Sequence, residues 1–175
     1  MTTVRSTTMQ AAPIPDNEAE RLAALYELLI LDTPPEERYD KIVGFAANEF
    51  DVPIVLVSLL DTNRQWFKAS VGTDLCETGR EHSFCSHVIL RDDILVIPDA
   101  QEDPRFADNP MVVDAPHIRF YAGAPLTTAP GIRLGTLCLI DRRPRTLDAL
   151  ELGILGTLRD LVVMEMRRAN ETANG

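Results

Sequence analysis

Cysteine is scarce in this 175-residue chain: Cys76, Cys85 and Cys138 are the only three, and no CxxC occurs. An odd count in a chain of this size excludes a disulfide framework and fits reduced thiols in a cytoplasm. Long apolar runs are also missing. The longest, Ile54 to Leu60, is interrupted by Ser58 and falls far short of the roughly 20 residues that cross a bilayer. The opening MTTVRSTTMQAAPIP holds no apolar core, so no secretory signal is read there. Positive charge is in deficit, with 17 Lys and Arg against 27 Asp and Glu, a net charge of −10. Such a surface repels phosphate backbones and anionic lipid, which argues against nucleic acid or a membrane as the main partner. Internal repeats and low-complexity tracts are absent.

What remains is 45% hydrophobic and 25% charged, the mix of one soluble globular domain with a full core. Residues 1–16, rich in Thr, Ser, Ala and Pro, predict a mobile tail; 17–170 predict the domain, and 171–175 a short C-terminal tail. A helix is expected from Asn17, with Asn17 and Glu20 at capping-box spacing and Leu22, Leu25, Tyr26 and Leu29 on one stripe. Thr33-Pro34-Pro35-Glu36 reads as the cap of a second helix, whose inner face carries Tyr39, Ile42, Val43, Ala46 and Phe50. Pro53 to Leu60 suits a central strand covered on both faces, returning through Gln65 to Val71 as a hairpin that ends at Gly72. Trp66 and Phe67 must then point to opposite faces.

Residues 73–83 read as irregular, Phe84 to Leu90 as a short helix, Ile94 to Pro98 as a short strand, and 99–117 as a long polar loop. Ile118–Leu126 and Ile132–Ile140 form a second hairpin about Pro130-Gly131, and Thr146 caps a last helix with Leu150, Ile154, Leu158, Leu161 and Val162 on one face. The order predicts an α+β fold. A central antiparallel sheet of five to six strands carries the N- and C-terminal helices on one face and a pocket covered by loops and a short helix on the other.

Several ordered motifs then carry a resemblance. Arg80-Glu81-His82-Ser83-Phe84-Cys85-Ser86-His87, Val96-Ile97-Pro98-Asp99-Ala100, Asp103-Pro104-Arg105-Phe106, Ile118 to Leu126 and Leu134 to Asp141 resemble a bacterial GAF domain over about residues 17–170. The resemblance implies a cytoplasmic, stand-alone signalling module that binds a small molecule beneath the 73–117 segment and dimerises through its terminal helices. It implies a histidine kinase or a cyclic-di-nucleotide enzyme as signalling partner. It does not imply one ligand or cofactor, since the family's ligands include cyclic nucleotides, bilins, haem and metabolites.

The candidate ligand-binding residues are Phe84, Cys85, His87, Asp99, Arg119 and Tyr121. Arg119 and Tyr121 share a strand face, so a cation and a phenol can meet an anionic or aromatic ligand. Alternatively, Arg119 pairs with Asp99 or Asp103 and pins the long loop. Cys76, His82, Cys85 and His87 are zinc-ligand types, but their spacing matches no standard zinc pattern, so no metal is expected. The serine between Cys85 and His87 departs from the Cys-His pair of bilin-binding relatives. The chain is expected not to be an enzyme. One alternative is a reductase of free methionine sulfoxide, with Cys85 attacking and Cys76 resolving. The other is a dimeric interaction module with a collapsed pocket.

Overall fold

The computed structural model describes residues 9–173. The fold is α+β. Helices α1 (Glu18–Glu27) and α2 (Glu37–Phe50) precede the hairpin β1 (Ile54–Leu60) and β2 (Arg64–Val71). A short β3 (Glu77–Gly79), a 3-10 turn at Arg80–His82, α3 (Cys85–Val88) and β4 (Leu95–Ile97) follow. After a second 3-10 turn and α4 (Pro110–Val113) come the long hairpin β5 (Phe120–Ala129) and β6 (Ile132–Asp141), then α5 (Ala149–Ala173). The six strands form one antiparallel sheet in the order β3-β2-β1-β6-β5-β4. The region read as irregular and looped thus holds an edge strand and three further short elements.

Side-chain alternation divides the apolar residues into two cores, one on each face. Every residue of β1 is buried, as a strand packed on both sides requires. Val55, Val57 and Leu59 face Leu25 of α1, Tyr39, Val43 and Phe50 of α2, and Leu155, Leu158 and Val162 of α5. Phe120, Ala122 and Ala124 of β5 join that helical side. Ile54, Leu56 and Leu60 face the other way, with Tyr121, Cys138 and Ile140, toward α3, α4 and the loops. The expected opposition of Trp66 and Phe67 holds: Trp66 lies in the helix-side core and Phe67 packs against the other. On β6 the inward positions shift from Leu134 to Leu137, three apart, so the chain slips by one residue at Gly135.

Three expected caps are differently built. Asn17 stands before α1 but makes no capping bond; its amide donates to the Gly131 carbonyl at 2.8 Å and ties α1 to the β5–β6 turn. Helix α2 starts at Glu37, after the predicted cap, because tertiary partners take the capping groups. The Lys68 ammonium, completely buried, donates to Thr33 Oγ1 and the Pro34 carbonyl and pairs with Glu36. Helix α5 is capped by a reciprocal box of Asp148 and Glu151, not by Thr146: each carboxylate accepts from the other's backbone N–H, at 2.8 and 3.2 Å.

A buried ion cluster fixes the first helix to the sheet. Glu18 accepts from Nε and Nη2 of Arg21 at 2.9 and 2.8 Å and also binds Arg80 from the turn that leads into α3. Arg21 donates to the Leu60 carbonyl and Arg80 to that of Asp61, so the end of β1 is clamped from two sides. Among the described residues no helix is long and apolar enough to cross a membrane.

Candidate functional site

The six candidate residues all lie on the side of the sheet away from the long helices, but in three different settings. Phe84, Cys85 and Tyr121 come together in the interior, each no more than 3% exposed. The Phe84 ring meets Tyr121 edge-on at 5.2 Å and Phe106 at 4.3 Å. His87 sits at the margin, its ring edge-on to Phe106 at 4.8 Å and its Nε2 3.2 Å from the Gln10 carbonyl. Burial holds the His87 imidazole below its ordinary pKa, so it is neutral at pH 7 and Nε2–H can donate. Asp99 accepts from the backbone N–H of Gln101 and caps the second 3-10 turn.

Arg119 does not pair with Asp99 or Asp103. Its guanidinium donates to the carbonyls of Val112 and Ile118 at 3.0 Å and so holds the end of α4. Asp103 is taken by Arg105 from two residues away, in a bidentate pair. Local geometry wins because an i,i+2 partner needs no long side chain to be ordered across the loop. Arg119 and Tyr121 share a strand face as predicted, yet one pins backbone and the other is enclosed. No three of Cys76, His82, Cys85 and His87 converge as a metal site among the described residues.

Much of the expected pocket is therefore filled by side chains. Among the openings that remain is a cleft of about 340 Å³ at the far end of the same face. Its floor is Ile54, Leu56 and Ile140 of the central strands with Phe67 of β2, and its walls are Leu75, Met111, Pro116 and Ile118. Thr73, Thr78 and Arg142 supply the polar groups. Arg142 donates to the Pro116 carbonyl at 3.1 Å and keeps an exposed guanidinium at the mouth. Apolar walls with a few polar groups at one end are the usual make-up of a small-molecule site. A larger groove, about 690 Å³, lies on the helical side, where Arg159, Asp160, Arg167 and Glu171 of α5 face Thr127 of β5 and Asp92. Sequence reasoning missed the cleft residues, although the alternation of Ile54 and Leu56 on β1 marks two side chains that the terminal helices cannot cover.

Three side chains crowd the Cys85 sulfur. Tyr121 Oη and Thr136 Oγ1 donate to its sulfur at 3.1 and 3.0 Å, and Cys138 Sγ lies 4.0 Å away. Burial raises the Cys85 thiol, but contacts from Cys138, Thr136, Tyr121 and Ser58 outweigh it and bring it below the ordinary value. The neighbouring Cys138 is raised by its contact with Cys85 and by burial. The thiol expected to resolve Cys85, Cys76, is exposed beside β2 instead. Cys138, on the middle of β6, occupies that place.

Comparison with known proteins agrees with this fold. The chain is 47% identical over 137 residues to a cyclic di-GMP phosphodiesterase of Pseudomonas aeruginosa; the match takes in 78% of this chain but spans only 23% of that relative. Among solved structures, the GAF domain of a phosphoenolpyruvate-protein phosphotransferase from Coxiella burnetii superposes with a TM-score of 0.66 at 15% identity, covering 91% of this chain and 98% of that one. A free methionine-R-sulfoxide reductase from Neisseria meningitidis, solved with its substrate, gives 0.61 at 14% identity, covering 95% and 99%. At those identities the likeness is one of fold. Residues 34–166 match the GAF domain model, and the chain belongs to the GAF domain family.

Proposed function

We propose that this chain is a regulatory sensor whose ligand enters the 340 Å³ cleft, and that it acts as a dimer on a cyclic-di-nucleotide enzyme or a histidine kinase in the cytoplasm. GAF domains form a signalling and sensor family, and the relative at 47% identity is a cyclic di-GMP phosphodiesterase of which this chain matches one part. The cleft carries the reading. Its floor is the sheet itself, and it joins β1, β2 and β6 to the 72–78 and 111–118 segments. A ligand there can bias segments that lie outside the regular sheet. The helical side supports a dimer: Leu150, Leu161 and Met164 of α5 and Phe45 of α2 are exposed although apolar.

The reductase alternative needs Cys85 to meet free methionine sulfoxide, but Cys85 is only 2% exposed and lies beneath Tyr121 and Phe84, with no opening for a substrate of that size among the described residues. Native mass spectrometry reads occupancy and oligomeric state together. The expected result is a dimer that retains a bound species, or a dimer stabilised by at least one compound in a thermal-shift panel of nucleotides and aromatic and aliphatic carboxylates. Ligand at about one hundred times Kd adds about 2.7 kcal/mol, or roughly 5–10 °C in Tm for a domain of this size. Met111→Trp, which fills the cleft, should abolish that shift while the protein stays folded. A monomer with no adduct and no stabilising compound overturns the proposal.

A further inference from the structure

Cys85 and Cys138 approach each other across two elements that have no covalent reason to be close. Cys138 lies mid-strand on β6, paired with Leu56 of β1 on one side and Gly123 of β5 on the other, so its backbone is held by two ladders. Cys85 opens α3, a single helical turn. Gly123 lets that turn come close: a Cβ there would fall 2.8 Å from Val88 Cγ2 and would strike the Tyr121 side chain. If the two cysteines served only as small apolar residues, apolar neighbours would suffice. Instead the Tyr121 and Thr136 hydroxyls both donate to Cys85 Sγ. Ser58, fully buried on the same face of β1, has a hydroxyl with no hydrogen-bond partner. Hydroxyls converging on one sulfur favour its anionic form, the nucleophilic one.

We propose that Cys85 and Cys138 are an oxidisable dithiol, converted by a small hydroperoxide into a disulfide between α3 and β6. The Cys85 thiolate attacks one oxygen of hydrogen peroxide; the O–O bond breaks, hydroxide leaves and takes a proton as water, and Cys85 becomes a sulfenic acid. The Cys138 sulfur then attacks Cys85 Sγ, the S–O bond breaks, and the departing hydroxide takes the Cys138 proton. Two thiols and one peroxide give one disulfide and two waters, with one electron drawn from each sulfur. Peroxide is close to water in size, and the cleft floor formed by Leu56 and Ile140 lies beside Cys138. Closing the sulfurs from 4.0 Å to the bonded separation of about 2.05 Å moves α3, because β6 cannot follow. The Tyr121 and Thr136 hydroxyls lose their acceptor in the same step. This site is separate from the ligand cleft and does not require it to be occupied.

The test uses the 175-residue chain carrying Cys76→Ser, which removes the exposed thiol. Reduced protein is treated with a few equivalents of hydrogen peroxide, then denatured into an alkylating agent. Both remaining thiols should disappear together, with loss of two hydrogen atoms from the intact mass, a cross-linked peptide pair joining Cys85 to Cys138, and full recovery with dithiothreitol. In a Cys138→Ser background the reaction should stop at a Cys85 sulfenic acid that dimedone traps. Thr136→Val should slow oxidation of Cys85 about tenfold, as expected for loss of one charge-assisted hydrogen bond, a rate effect that packing alone would not produce. Thiols that remain fully alkylatable overturn the proposal, as does loss of the Cys85 thiol without a cross-link while Cys138 is present.

Discussion

Gly135→Ala should cost roughly 3 kcal/mol of stability or more. A Cβ at this position lies inside contact distance of the Ser58 carbonyl oxygen and 2.9 Å from the Leu59 Cα. Every atom it strikes is backbone of β1, so no rotamer change relieves it. Nor can β1 retreat, since β2 and β6 flank it and both its faces are packed. At about 2–4 °C per kcal/mol for a domain of this length, the melting temperature should fall by roughly 6–12 °C. Gly153→Ala is the control. It lies exposed on α5 with nothing within 4 Å of a new Cβ, and helix propensity predicts a gain of up to about 1 kcal/mol there. Calorimetry on the two variants decides the matter, and equal melting points would mean that β1 and β6 are not in this register.

Glu18→Ala should destabilise the protein by about 3 kcal/mol, because it strands two arginines in the interior. Arg21 is 1% exposed and Arg80 6%, and each keeps only its carbonyl acceptor among the bonds described above. The same cluster sets an acid limit. Burial raises the Glu18 carboxyl, but the hydrogen bonds and charges of Arg21 and Arg80 outweigh it and bring it from 4.5 to about 2. Folding therefore lowers the pKa, so the unfolded chain takes up the proton first as pH falls. The stability from this group is present above about pH 4.5 and is lost between there and pH 2. Because the carboxylate is partly solvated, its share is about 1–2 kcal/mol rather than the full shift. Urea unfolding of wild type and Glu18→Gln from pH 7 to pH 2.5 should show the two curves converging as pH falls. Parallel curves would remove the ion cluster from the account.

The sequence carried what periodicity can carry. The two-sided run of β1 and the alternation along β5 are local patterns, and each places its residues on the observed face; of the terminal-helix stripes, Leu25, Leu158 and Val162 are buried and Leu22 and Ile154 pack against them, whereas Tyr26, Leu29, Leu150 and Leu161 are exposed. Phe84, Val88, Ile89, Phe106 and Val112 build the second core from short turns too brief for any period, so their burial was invisible and the face looked emptier than it is. The caps failed for a related reason. Thr33 and Glu36 have capping chemistry, but Lys68, distant in sequence, competes for both. Of the candidate residues, Phe84, Cys85 and Tyr121 do meet, whereas Asp99 and Arg119 are used on backbone. The partnership of Cys85 with Cys138 depends on strand order, and no spacing in the chain announces it.

That strand order has a kinetic consequence. The sheet is two three-stranded halves, β1-β2-β3 from the first part of the chain and β4-β5-β6 from the second, meeting along the single β1–β6 seam. Each half closes largely through local hairpins, while seam partners such as Ile54 and Ile140 must find each other across most of the domain. Loop-closure entropy falls on that encounter. Seam docking is therefore expected to limit the folding rate, so that truncating Val57 slows folding while truncating Leu161 leaves the folding arm of a chevron unchanged; the reverse pattern would place the nucleus elsewhere.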